Sequence, residues 1–146
     1  MTRFNRSASQ TYTLITPASP LSDLEEFLKT NKENKGVKVL PSGLQYQVLK
    51  SGDGASPKIV NAVTAHYEGT FPDGRVFDSS YKRGEPAQFP LTRVIPGWAE
   101  ALQLLKVGDK WKIFLPPYLA YGEHGFGKEI GPNMALIFEI ELLGIN

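Results

Sequence analysis

Five aromatic side chains carry the most suggestive chemistry in this chain. Trp98 stands at the start of PGWAEALQLL, Tyr67 ends VTAHY, Phe77 ends PDGRVF, Tyr121 lies in LAYGEHG and Phe138 in ALIFEIELL. A tryptophan placed at a helix entrance, directly behind Pro96 and Gly97, is an unusual use of the largest side chain. One aromatic buries roughly 150–250 Å². Gathered around one hollow, the five would form an apolar recess with two phenol hydroxyls for hydrogen bonding, which is the ordinary make-up of a ligand site. The same periodicity is also met by Trp98 as plain core.

Other chemistries find little support. There is no cysteine, so thiol catalysis, Cys-bound metal and disulfides are excluded. His66 and His124 are the only histidines and neither has a neighbouring carboxylate–histidine cluster, so no metal and no cofactor is expected. Ser79 and Ser80 in FDSS lack the Gly-x-Ser-x-Gly setting of a nucleophile elbow and read as turn or strand-edge hydrogen-bonders. The Gly-x-Gly of SGDGAS precedes no helical pattern, which argues against a phosphate cradle. Lys106, Lys110 and Lys112 read as a solvated face.

The elements that would position the aromatics are mostly strands. GLQYQV sets Leu44, Tyr46 and Val48 on one side, and VTAHYEG sets Val63, Ala65 and Tyr67 against Thr64, His66 and Glu68. PDG at 72–74 turns the chain into RVFDSS. KWKIFLP alternates Trp111, Ile113 and Leu115 against Lys112 and Phe114, and the last segment lines up Leu136, Phe138, Ile140 and Leu142. Such alternation predicts an antiparallel sheet with one buried face.

One helical pattern interrupts the strands: Trp98, Ala101, Leu102 and Leu105 follow the i, i+3, i+4, i+7 spacing. Pro96 suits the first helical position and Gly108 follows the end. A one-faced sheet and a short apolar helix satisfy each other if the sheet curls around the helix. The expected class is therefore α+β: a curved antiparallel sheet of five or six strands wrapped around one short amphipathic helix, preceded by an N-terminal helix. So short a helix leaves part of the hollow unfilled, with Trp98 at its mouth.

Upstream, SDLEEFLKTNKENKG reads as a helix capped by Ser22, with Glu25 in capping-box spacing and Gly36 at its end. Its thin apolar face (Leu24, Phe27, Leu28) needs either the main domain or another chain to lean on. The expected division is a flexible tail over 1–20, a helix and linker over 21–36 and a catalytic-type domain over 37–146. The tail is Ser/Thr-rich, acid-free and carries two Arg, which also loosely suits an organelle targeting segment. With Lys+Arg 16 against Asp+Glu 15, no electrostatic footprint for nucleic acid is present. No run approaches the ~20 apolar residues of a membrane span. Without a secretory signal the chain as given reads as cytoplasmic, the alternative being a periplasmic or cell-surface protein that is a truncated or mature form.

Four separated stretches, YEGTFPDGRVFDSSYKRGEP, VIPGWAEALQLLKVGDKWKIFLPP, LAYGEHG and IGPNMALIFEIELLGI, together resemble the FK506-binding type of peptidyl-prolyl isomerase, from about Gly36 to the C-terminus. LPSGLQYQVLKSGDG behind a charged helix is most similar to the bacterial macrophage-infectivity-potentiator and FkpA-like subgroup. The resemblance implies Trp98 as pocket floor, Tyr67, Phe77, Tyr121 and Phe138 as walls, Asp78 as the pocket carboxylate, and Val94 and Ile95 as rim. It further implies the Ile95 N–H as a donor to a bound carbonyl and Ile130 as an apolar contact. Ala87 stands where eukaryotic members carry a wall aromatic, and Phe126 where they often carry histidine. The implied activity is cis–trans isomerisation of X–Pro bonds in proline-containing polypeptides, assisting folding, with macrolides of the FK506/rapamycin type as inhibitors. A non-catalytic chaperone or interaction module using the same pocket is the alternative. In the subgroup an N-terminal helical domain dimerises; only the last part of such a helix precedes the domain here, so a homodimer stays open.

Overall fold

The computed structural model describes residues 20–128 and 130–146, with side chains from residue 26 onward. The tail expected over 1–20 lies outside these residues except for Pro20. Helix α1 spans Pro20–Asn31. It begins two residues ahead of Ser22, which therefore stands inside the first turn rather than capping it; proline is itself well suited to a helix start. It also ends five residues short of Gly36, whose φ of +83° instead closes the turn into the first strand.

Seven strands follow: β1 (Val37–Val39), β2 (Gln45–Lys50), β3 (Ala62–Thr70), β4 (Val76–Ser79), β5 (Ala87–Pro90), β6 (Lys110–Leu115) and β7 (Leu136–Ile145). They form one antiparallel sheet in the order β1-β2-β6-β7-β3-β4, with β5 also paired to β3. The two strands beyond the five read from the sequence are β1 and β5, of three and four residues. Helix α2 is the single turn Ser80–Arg83, and α3 is Pro96–Leu104.

The sheet wraps α3 as its patterning requires. Ala101 and Leu102 of α3, with Leu105 just beyond it, are fully buried against Val63 and Ala65 of β3, Ile113 and Leu115 of β6 and Leu136, Ile140 and Leu142 of β7. Each of the Val, Leu and Ile side chains contributes about 1.5–3 kcal/mol by leaving water. Gly97 in the first turn is required by this packing, because a Cβ there would run into the Leu115 side chain.

Two positions depart from simple alternation. Phe114 points away from α3 yet is only 4% exposed, because α1 crosses that face and Phe27 packs on it at 6.5 Å between ring centroids. Asn31 Nδ2 donates to Gln45 Oε1 (2.7 Å) and Gln45 Nε2 to the Leu28 carbonyl (2.9 Å), tying the end of α1 to β2. The main domain thus supplies the support that the thin apolar face of α1 needs. Val48, grouped by pattern with buried Leu44, is exposed, since β2 runs beyond the cover of α3. Among the described residues no helix is long and apolar enough to cross a membrane.

Candidate functional site

β3 makes the site by having two partners along one edge. Residues Ala62 to Ala65 pair with β5, and Glu68 to Thr70 pair with β4. Between them the edge would leave the Tyr67 backbone unpaired, a costly defect at a buried residue. The Ser80 hydroxyl closes the gap: it accepts from the Tyr67 N–H (2.7 Å) and donates to the Tyr67 carbonyl (3.1 Å). This is the strand-edge role expected of the FDSS serines. Ser79 in turn caps α2, accepting from the Lys82 N–H.

The recess lies where β3, β4, β5, β7 and the start of α3 meet, with a volume of about 320 Å³ open to solvent. Trp98 is only 4% exposed but forms part of its lining. Three rings stand edge-on to the indole: Tyr67 at 5.2 Å, Phe89 at 5.0 Å and Phe138 at 5.3 Å between centroids. These T-shaped contacts are favourable beyond area burial and hold the indole in one orientation. Gly69 makes room for the next wall: a Cβ there would sit 2.6 Å from Phe77 and 2.8 Å from Phe138.

One polar cluster borders this apolar floor. Tyr67 Oη donates to Asp78 Oδ2 (2.6 Å), Arg83 Nη1 donates to Asp78 Oδ1 (2.5 Å) and Arg83 Nη2 donates to Tyr67 Oη (2.8 Å). Arg83 is the last residue of α2, which Gly84 ends in the left-handed conformation, φ +84°. Burial raises the Tyr67 pKa, the bond to Asp78 adds to the rise, and Arg83 partly offsets it. Burial also raises the Tyr121 pKa, helped by the negative charge of Asp78. Both phenols are therefore firmly protonated donors. Neither the Tyr121 hydroxyl nor the Ile95 N–H has a hydrogen-bond partner among the described residues, so both remain open to a ligand.

A second recess of about 290 Å³ adjoins the first, sharing Phe77, Asp78, Tyr121 and Phe126 and adding Gly127, Lys128 and Ile130. Phe126 stacks on Tyr121 at 5.1 Å and bridges by backbone to Ile130, forming a flap over the opening.

Of the residues anticipated from sequence, Tyr67, Phe77, Asp78, Val94, Ile95, Trp98, Tyr121, Phe126 and Phe138 line the first recess. Ile130 lines only the second. Ala87 lines neither, while Phe89, two residues further along β5 on the same face, lines the first. Phe89, Arg83 and Arg93 were missed by sequence reasoning. A period-two reading outward from Ala87 could have found Phe89; the C-terminal Arg-Gly of the one-turn helix behind Asp78 was the available signal for Arg83.

Residues 54–143 match the family described as FKBP-type peptidyl-prolyl cis-trans isomerase, and residues 18–48 match the domain amino terminal to it. The chain belongs to the FKBP-type family. Its relatives include an FKBP-type isomerase, FkpA, of Aeromonas hydrophila, 58% identical over 121 residues, 83% of this chain and 45% of that protein. They also include the outer membrane protein MIP of Legionella longbeachae, 50% identical over 121 residues, 83% of this chain and 52% of that protein. A solved isomerase from Pseudomonas syringae is 37% identical with a TM-score of 0.83, over 90% of this chain and 99% of that one. The chain spans about half the length of the FKBP-type relatives FkpA and Mip. The antiparallel sheet around one helix is thus the FKBP architecture in this chain as well.

Proposed function

We propose that this FKBP-type chain accelerates cis–trans rotation about X–Pro bonds of polypeptides in the Trp98 recess. The observation that carries the reading is an open apolar hollow with Trp98 in its lining, ringed edge-on by Tyr67, Phe89 and Phe138, with the Tyr121 hydroxyl and the Ile95 N–H beside it unpaired among the described residues. The uncatalysed barrier is about 18–20 kcal/mol and comes from amide resonance, so rotation breaks no bond and needs no nucleophile, base or metal. It needs a site that favours the twisted amide over the planar one. The planar amide is the more dipolar and the better hydrated form, so transfer into an aromatic hollow penalises it more.

A proline ring on Trp98 would bury about 100 Å² of apolar surface, roughly 2.5 kcal/mol of binding. The Tyr121 hydroxyl and Ile95 N–H then hold the flanking carbonyls, with Val94 and Phe126 against the neighbouring residues. Asp78 is committed to Tyr67 and Arg83, which favours its orienting the Tyr67 wall over polarising the substrate carbon. Macrolides of the FK506 type would occupy the same recess, and loss of turnover in their presence checks this. The name of the Legionella relative supports a periplasmic or cell-surface placement over a cytoplasmic one, which fractionation of the producing cell tests.

Isomerisation of a Leu-Pro peptide measured by NMR exchange decides the main reading. Acceleration that is lost with Trp98→Leu in folded protein is the expected result. A folded wild-type chain that binds the peptide without accelerating it would leave only the chaperone or docking function.

A further inference from the structure

Among the described residues, charge at the mouth of the cleft is not balanced. The two adjoining recesses have three charged residues in their described lining: Asp78, Arg93 and Lys128. Asp78 is already neutralised by Arg83, whose side chain is itself 49% exposed beside it. Arg93 and Lys128 are exposed and form no ion pair among the described residues. The whole chain, by contrast, has a formal charge of only +1.

The two cations stand one to each chamber. Arg93 lies in the loop between β5 and α3, next to Val94 and Ile95, and lines only the Trp98 recess. Lys128 follows the Phe126 flap and lines only the second recess. A chain whose proline rests on Trp98 has neighbours on both sides, and the shared wall of Phe77, Asp78, Tyr121 and Phe126 leads from one chamber to the other.

We propose that Arg93 and Lys128 make the cleft select proline segments flanked by acidic residues. This rests on the isomerase reading and adds a substrate class to it: the apolar floor takes the proline, while the rim draws carboxylates within a few residues of it. Long-range attraction of this kind acts mainly on encounter and on kcat/KM, and is screened by salt. The contacts are exposed, so the selectivity is modest in size.

The test uses peptides identical except for Glu, Ala or Lys on either side of Leu-Pro, followed by NMR exchange so that no protease adds its own charge preference. At low ionic strength kcat/KM for the Glu peptide should exceed that for the Lys peptide about fivefold, and the ratio should fall toward one as the Debye length shrinks to about 3 Å near 1 M salt. Arg93→Glu and Lys128→Glu should each lower the ratio and together invert it. Equal turnover of Glu and Lys peptides at low salt, alongside clear acceleration of the Ala peptide, overturns this inference and leaves the isomerase reading intact. A preference that survives the double charge reversal also overturns it. Failure to accelerate any peptide removes both together.

Discussion

Asp78 accepts from two donors at once, and those donors also bond each other, so the triangle with Tyr67 and Arg83 is closed. Removing its centre releases the phenol that forms one wall of the recess while leaving the apolar core untouched. Asp78→Ala should therefore lower kcat/KM by about tenfold, equivalent to roughly 1.4 kcal/mol of transition-state stabilisation, with an unchanged far-UV spectrum. Tyr121→Phe removes a donor with no partner among the described residues, so its loss falls on bound substrate. A decrease of about fivefold is expected, the worth of one hydrogen bond of about 1 kcal/mol. Full activity in both variants would mean that substrate does not lie where these two groups meet. At this scale the sequence was most readable where residue type and pattern coincided, as for Trp98 and Tyr67. Arg83 was hidden because its partners, Tyr67 and Asp78, lie on neighbouring strands that only the fold brings together, and Arg93 because a loop cation has no periodicity to place it.

The long strands and α3 declared themselves because one face of each is buried: Val63, Ala65 and Tyr67, or Leu136, Phe138, Ile140 and Leu142. The short strand β5 did not, and with it Phe89, which lines the recess two residues beyond Ala87, stayed hidden. Phe114 likewise falls on the polar side of its strand pattern and is buried only through α1, a contact between distant parts of the chain. Two element-level outcomes follow. Gly69→Ala places a methyl against Phe77 and Phe138, so it should cost about 1–3 kcal/mol in urea unfolding and reduce turnover by displacing the wall. Phe27→Ala removes the ring that seats α1 on Phe114, so amide exchange over residues 20–31 should quicken while kcat/KM stays within about twofold. Unchanged exchange there would show that α1 is held mainly by its polar ties to Gln45.

At the scale of the molecule, the cohesion among the described residues is apolar and the ion pairs lie at the surface. Three tyrosines spread over both faces of the sheet hold their protons more tightly than usual. Tyr67 and Tyr121 at the recess and Tyr81 on the opposite face all have raised pKa values, each first from burial, with Glu141 next in raising Tyr81. A raised folded-state pKa means that the folded chain holds its phenol protons more tightly than the unfolded chain. The stabilisation is then complete below the ordinary tyrosine value of about 10 and is lost as pH climbs through the raised values. Tyr81 also stacks on His66 at 4.5 Å and donates to Glu141 at 3.1 Å, so its ionisation would bring two negative charges together. The urea midpoint should accordingly stay flat from about pH 8 to about pH 9.5 and fall steeply beyond. Lysines titrate in the same range, so the Tyr67→Phe/Tyr81→Phe/Tyr121→Phe variant serves as the reference: it should begin less stable and lose less between about pH 9.5 and about pH 11. Equal alkaline slopes for the two proteins would mean that these phenols ionise as freely in the folded chain as in the unfolded one.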